Sequence, residues 1–260
     1  MGKKNKILVL FDLNKSTSNT LKSCVSISKI VNADINFLYV KKPTEVVEKD
    51  NQLAAMRTIN KDYRSTDKKI KDLINPISDT YNVSINHTFT IGNVKNEIEK
   101  YIDKNKPDII VLGKRKSKSI SFMGDNITQF ILKKYKGTVV ITDQKKALDP
   151  SQELSLGLFN NTITDDKFIK KIIDSTQQPL KSFKVVDRLT TSKKEQTLSK
   201  KTIEYAFEKG DNVIENISNY LSKTNINLLC VNRERSISDS TKISINDMIN
   251  NLDCSLILTT

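Results

Sequence analysis

Apolar residues fall in two rhythms along this chain. The continuous run Ile7-Leu8-Val9-Leu10-Phe11 suits a strand covered on both faces, and Ile35-Asn36-Phe37-Leu38-Tyr39-Val40, Ile109-Ile110-Val111-Leu112 and Thr138-Val139-Val140-Ile141 read as further strands. Between them the apolar positions recur every three or four residues, the spacing of one helix face. Ser16 or Thr17 is placed to cap a helix carrying Leu21, Cys24, Val25 and Val31, and Gly92 leads into one carrying Val94, Ile98, Tyr101 and Ile102. Residues 45 to 79 are charged and helix-favouring, with Leu53, Met56, Ile59, Tyr63 and Ile70 as sparse anchors, and the alternating run Val83 to Thr90 reads as the third strand. Strands alternating with helices predict a parallel sheet with right-handed crossovers. Ligands on such sheets bind beyond the carboxyl ends of the strands, near the switch point, which selects Asp12, Val40 and Gly113.

The pattern returns, altered, near the C-terminus. The shift that carries Asn93-Val94 onto Asn212-Val213 also carries Ile98, Tyr101 and Lys104 onto Ile217, Tyr220 and Lys223, and Ile109 to Leu112 onto Leu228 to Val231. The chain is therefore read as a duplication, an α/β protein of two tandem doubly wound domains. Each is expected to hold a five-stranded, mainly parallel sheet flanked by helices. Residues 1–147 and 151–260 form the two units, with Asp149-Pro150 at the boundary. In the second copy Leu154 to Phe159, Phe183 to Val186 and Ile203 to Phe207 read as strands, and Val213 to Leu221 as a helix. The stretch from Ser192 to Lys200 is all that matches the long first-copy helix. Asn160 stands where the first copy has Asp12, Asn232 meets Gly113, and no glycine follows through to Asp253. A phosphate could not be approached closely by backbone there, so this copy reads as structural.

Composition narrows the chemistry. Cys24, Cys230 and Cys254 have no metal-ligand spacing and read as buried, reduced thiols. The single histidine, His87, shares its parity with Val83, Ile85 and Phe89 and reads as a packed or edge residue. Hydrolases built on Ser-His-Asp or Cys-His, and His-rich zinc sites, need imidazoles this chain hardly supplies. No run approaches the ~18 apolar residues of a membrane span. The N-terminal apolar run ends at Asp12, too short for a secretory core, so the cytoplasm is the expected compartment. A net charge of +13 raises polyanion or nucleic-acid binding through Lys114 to Lys118, Lys133-Lys134 and Lys136 with Lys145-Lys146, and Lys193-Lys194 with Lys200-Lys201. No nucleic-acid motif accompanies these clusters and aromatics are not regularly interleaved with them, so a solvated Lys-rich surface is the competing account.

Lys6 to Asp12, Leu38-Tyr39-Val40, Gly92, Pro107 to Gly113, Gly124 and Gly137 to Ile141 together resemble the universal stress protein family, well in the first half and faintly in the second. The resemblance implies a five-stranded α/β fold and ATP, with Mg2+, as ligand. Asp12 and Val40 would lie on the adenine and ribose side, and Gly113, Lys116, Gly124 and Asn126 on the phosphate side. In nucleotide-binding members the loop reads Gly, two residues, Gly, nine residues, Gly, then Ser or Thr. Here Lys116 replaces the second glycine, the gap to Gly124 is two residues shorter, and Asp125 stands in the hydroxyl's place. A carboxylate suits a helix N-terminus but competes with a phosphate for it. Lys114, Arg115, Lys116 and Lys118 oppose that charge. The family also implies pairing of last strands, here Thr138 to Thr142 with Ser255 to Thr259, an internal pseudo-dimer with further homodimerisation left open. Asp12 and Asp125 are the only acids placed near the site and the sequence marks no catalytic partner for either, so at most weak ATP hydrolysis is expected and no catalytic residue is assigned. The functional expectation is a stress-associated ligand-sensing regulator; the alternative is a scaffold without nucleotide, or a polyanion-binding stress protein.

Overall fold

The structure, a computed structural model, describes residues 4–13, 17–43, 52–114, 127–160, 167–176, 179–186, 202–234 and 243–260. The first half runs β1 (Asn5–Leu10), α1 (Thr17–Val31), β2 (Ala33–Lys41), α2 (Gln52–Tyr81), β3 (Ile85–Ile91), α3 (Val94–Asn105), β4 (Ile109–Gly113), α4 (Ile127–Lys134) and β5 (Thr138–Thr142). The second runs β6 (Leu156–Phe159), α5 (Lys167–Asp174), β7 (Leu180–Val186), β8 (Thr202–Glu208), α6 (Val213–Lys223), β9 (Leu228–Asn232), α7 (Ile245–Asn251) and β10 (Ser255–Thr259).

These strands form one sheet in the order β3-β2-β1-β4-β5-β10-β9-β6-β7-β8. Each half repeats the same order, and within each half every pairing is parallel. The halves meet where β5 and β10 pair antiparallel, with Leu256 opposite Ile141, Ile257 opposite Val140 and Leu258 opposite Val139. Counting Thr138 and Ser255 as equivalent first residues, Ile257 is the counterpart of Val140, so the seam is symmetric about that pair. Across it Gln129 of α4 donates to Asn246 of α7, residues equivalent by the same count. Such self-complementary contact is what a two-fold axis produces.

The central strands are buried on both faces because helices cover both, which is why they read as unbroken apolar runs. One face packs Ile7, Val9, Phe37 and Val111 under α1 and α2, then continues through Val140 and Ile257 to Leu156 and Leu158 under α5. The other packs Leu8, Leu10, Ile110 and Leu112 under α3 and α4, then continues through Val139 and Leu256 to Leu229 and Val231 under α6 and α7. Both cores are thus continuous across the seam.

Several expectations shift. β1 and β3 begin and end one or two residues away from the expected limits, and Val83 precedes β3. The long helix starts at Gln52 and is anchored by Ile70, Ile74 and Ile77, whereas Tyr63 is 47% exposed and lays its ring 4.9 Å from Phe89. Thr17 lies inside α1 rather than capping it, and Ser16 is outside the described residues. Helices α5 and α7 were not expected at all. His87 is half-buried, as its parity implied, and its Nε2 lies 2.7 Å from Asp67 Oδ1 on α2, a partner the pattern did not reveal. The three cysteines are free and buried. Asparagine does much of the work of glycine at helix ends: Asn32, Asn82 and Asn225 take positive φ after α1, α2 and α6.

Candidate functional site

In the first half the chain steps from β1 to β2 on one side and crosses to β4 on the other, so the switch point lies between β1 and β4. Leu10 is level with both Leu38 and Leu112. Extending that register by two residues brings Asp12, beyond the end of β1, level with Val40 of β2 and with Lys114, the residue after Gly113. The three expected residues therefore come together at the carboxyl ends of adjacent strands, across about 10 Å at ~4.8 Å per strand.

Each has a local reason for its place. The Asp12 carbonyl accepts a 2.5 Å hydrogen bond from the Thr17 hydroxyl, which ties the strand end to the first turn of α1. Val40 is half-buried against the α3 face of the core. Gly113 is level with Thr142, and a Cβ there would meet Thr20 Oγ1 at 2.8 Å. Thr20 is itself buried and accepts a 3.0 Å hydrogen bond from the Thr142 hydroxyl. Among the described glycines none has positive φ, so what demands glycine at 113 is the close approach of α1. Lys116, Gly124 and Asn126, with Arg115, Lys118 and Asp125, lie outside the described residues.

Lys114 is described, and its ammonium does not serve the crevice alone. Its Nζ donates to the Leu252 carbonyl, the C-cap of α7 on the far side of the seam. The repeat places Lys114 on Arg233, and Arg233 makes the reciprocal contact. Its guanidinium donates to the carbonyls of Leu132 (3.2 Å), Tyr135 (3.1 Å) and Gly137 (2.6 Å) at the C-terminal end of α4. Counting from the first residues of β5 and β10, Leu252 and Tyr135 are equivalent. A cation after β4 and another after β9 thus close the opposite helix end across the seam, where the helix dipole favours positive charge. Burial holds the Arg233 guanidinium below its ordinary pKa, and burial pushes the Tyr135 phenol up, helped by the Asp108 carboxylate. The sequence reading took Lys114 for a loop cation and passed over Arg233; the signal was the conserved charge sign at the two repeat-related positions.

The corresponding crevice of the second half is braced from within. Asn160, in Asp12's place, takes φ 47°, donates its N–H to the Phe183 carbonyl (2.9 Å) and accepts from the Val185 N–H through Oδ1 (3.0 Å), joining β6 to β7. Asn232, in place of Gly113, is buried. Among the described residues no group of His, Cys, Asp and Glu is arranged to hold a metal ion, and no helix is long and apolar enough to cross a membrane.

Residues 4–143 match the model of the universal stress protein family. Over almost its whole length the chain is similar in structure to a universal stress protein from Archaeoglobus fulgidus, with 14% identity, 98% of this chain and 96% of that one covered, and a TM-score of 0.66. It is similar to a functionally unknown protein from Pseudomonas aeruginosa at 10% identity, 98% and 92% coverage, and a TM-score of 0.55. At these identities the likeness concerns the fold. No curated protein matches the chain significantly in sequence.

Proposed function

The chain belongs to the universal stress protein family, and from that premise we propose that it is a stress-associated ligand sensor that takes ATP, with Mg2+, at the carboxyl ends of β1, β2 and β4. The observation that carries this reading is the register that aligns Asp12, Val40 and the Gly113-Lys114 step on three adjacent strands at the switch point. Asp12 and Val40 are together assigned to the adenine and ribose side, and Gly113, Lys116, Gly124 and Asn126 to the phosphate side. Residues 1–147 act as the ligand domain and 151–260 as a companion domain, the two forming an internal dimer through β5 and β10; that reading draws support from the symmetric seam. Further self-association would need other surfaces, because each of these strands is already covered by the other. Three free, buried thiols suit a reducing cytoplasm.

A scaffold role without nucleotide is the second reading, and the engagement of Lys114 with Leu252 favours it, since one loop cation is already held at the seam. Calorimetric titration of nucleotide-stripped protein with Mg-ATP at moderate salt separates the two. The proposal expects saturable one-site binding in the micromolar range, weakened at least about tenfold by Asp12→Ala, the loss of one charge-assisted contact. Absence of heat up to millimolar ATP would overturn it in favour of the scaffold. Binding to nucleic acid that falls steeply with salt would instead support the polyanion reading.

A further inference from the structure

β8 ends the sheet. It pairs with β7 over its whole length, from Thr202 against Leu180 to Glu208 against Val186, and has no second strand beside it among the described residues. The Lys209 N–H donates to the Val186 carbonyl at 3.1 Å, which fixes the phase of the ladder. Backbone groups alternate along a strand, so those of Ile203, Tyr205 and Phe207 point at β7, and those of Thr202, Glu204, Ala206 and Glu208 point outward. Apolar surface is left over at the same edge. Ile203 is 43% exposed and Tyr220 of α6 41%, two of the three large apolar side chains exposed among the described residues. Tyr220, Tyr205 and Phe207 line a groove of about 530 Å³ between β8 and α6. The third such side chain, Tyr63, lies over Phe89 at the opposite edge, where β3 itself exposes none.

The two carboxylates of β8 decide what fits this edge. A strand that pairs antiparallel with its own copy about a two-fold axis sets one residue opposite itself. With Glu204 on the axis, two carboxylates face each other directly, and with Ala206 there, Glu204 faces Glu208 twice; like charges so placed are destabilising. Ile203 or Phe207 on the axis leaves only three residues paired. Tyr205 on the axis pairs all seven: Thr202 with Glu208, Ile203 with Phe207, Glu204 with Ala206, and Tyr205 with its copy. No carboxylate then stands directly opposite another, and Glu204 keeps Lys184 Nζ at 3.1 Å. The outward groups of the four even-numbered residues bond in pairs, about eight hydrogen bonds in all. The central Tyr205 pair falls where the strands exchange none, the position of closest side-chain approach. The β5–β10 seam has the same form, antiparallel and symmetric about one pair, with helices meeting alongside.

We infer that β8 is the interface of a closed homodimer, in which two copies of this chain pair their β8 strands antiparallel about Tyr205 and continue the sheet from one molecule into the next. Ile203 of each copy packs against Phe207 of the other, whose ring stands edge-on to Tyr220 at 5.4 Å, so the exposed apolar surface of the edge is covered twice over. Glu204 and Glu208 guard the register, since a slip of the axis by one residue pair toward Glu204 or Ala206 opposes like charges. The interface is independent of the nucleotide reading.

The test is sedimentation equilibrium of the full chain without nucleotide. The expected result is a reversible monomer–dimer equilibrium with a Kd of roughly 1–50 μM. Each copy carries a net charge of +13, so the dimer should tighten severalfold as salt rises from about 0.05 to 0.3 M. Ala206→Pro removes an outward N–H, a change a free edge tolerates; it should weaken the dimer at least about tenfold and leave the circular dichroism spectrum unchanged. Ile203→Ser should weaken it about fivefold or more. Tyr205→Cys should form a covalent dimer under diamide, because the axis brings the two thiols together, whereas Phe207→Cys should not, its copies lying about 13 Å apart along the strands. The three native cysteines are buried and leave this readout clean. A chain that stays monomeric up to about 0.5 mM would overturn the inference. So would a dimer indifferent to Ala206→Pro, crosslinking of Phe207→Cys as efficient as that of Tyr205→Cys, or assemblies that grow past the dimer, the mark of open head-to-tail pairing. A monomer that binds a Lys-rich peptide, and loses it on Ala206→Pro, would also overturn it and assign the edge to a foreign strand.

Discussion

Replacing Arg233 by methionine, which keeps much of the volume and removes the charge, tests whether the seam is held by the reciprocal caps. Arg233 is only 7% exposed and gives three hydrogen bonds to carbonyls at the end of α4. Hydrogen bonds from a charged donor contribute ~1.5–3 kcal/mol each, a gross of about 4–9 kcal/mol. Against this stand the cost of burying the guanidinium, visible in its depressed pKa, and a buried Nε with no hydrogen-bond partner among the described residues, which costs about 1–3 kcal/mol. The net loss expected for Arg233→Met is about 3 kcal/mol. At ~2–4 °C per kcal/mol for a chain of this size, the midpoint should fall by roughly 6–12 °C. Urea unfolding followed by far-ultraviolet circular dichroism reads the same loss as a lower midpoint with an unchanged slope. Lys114→Met, which removes the bond from a half-buried ammonium to the Leu252 carbonyl, should lose about 1 kcal/mol. A loss under about 1 kcal/mol for Arg233→Met would refute the view that the α4 carbonyls depend on it.

Three further outcomes follow from particular geometry. Lys106 ends α3 at φ 46°, where its repeat counterpart Asn225 stands at φ 53°; Lys106→Asn should stabilise the protein by about 0.5–1 kcal/mol in thermal melts, since a left-handed backbone costs most side chains ~1–2 kcal/mol. Gly113→Ala should destabilise by about 1–3 kcal/mol because its Cβ meets Thr20 Oγ1 at 2.8 Å, and Thr20→Ala should recover part of that loss in a double-mutant cycle. The Lys71 and His87 hydrogen bonds hold the Asp67 carboxyl below the ordinary carboxylate range. Its contribution is therefore present above the unfolded value of about 3.9 and lost as pH falls below it. Asp67→Asn should flatten the acid side of a plot of urea midpoint against pH between about 5 and 2, and an unchanged slope would exclude Asp67 as a contributor.

What could be read from the chain alone was what local repetition encodes. Unbroken apolar runs meant strands covered on both faces, three-to-four spacing meant helices, and the recurrence of Asn93 to Leu112 at Asn212 to Val231 meant the same strand order twice. The alignment of Asp12, Val40 and Gly113 followed from that order, because a parallel sheet brings its strand ends to one edge. Helices α5 and α7 escaped because they are short, of eight and seven residues, and the repeat is faint there. Tertiary structure alone decided where the charges went. Lys114 looks like a phosphate-loop cation beside its neighbours, yet it caps a helix 138 residues away, and Arg233 returns the contact over about a hundred. His87 finds Asp67 only because α2 folds over β3. Periodicity records which face of an element is dry; the partner of a charge is chosen by whatever carbonyl or carboxylate the packed elements bring within about 3 Å, a distance that for Lys114 and Arg233 exists only once β5 and β10 have paired.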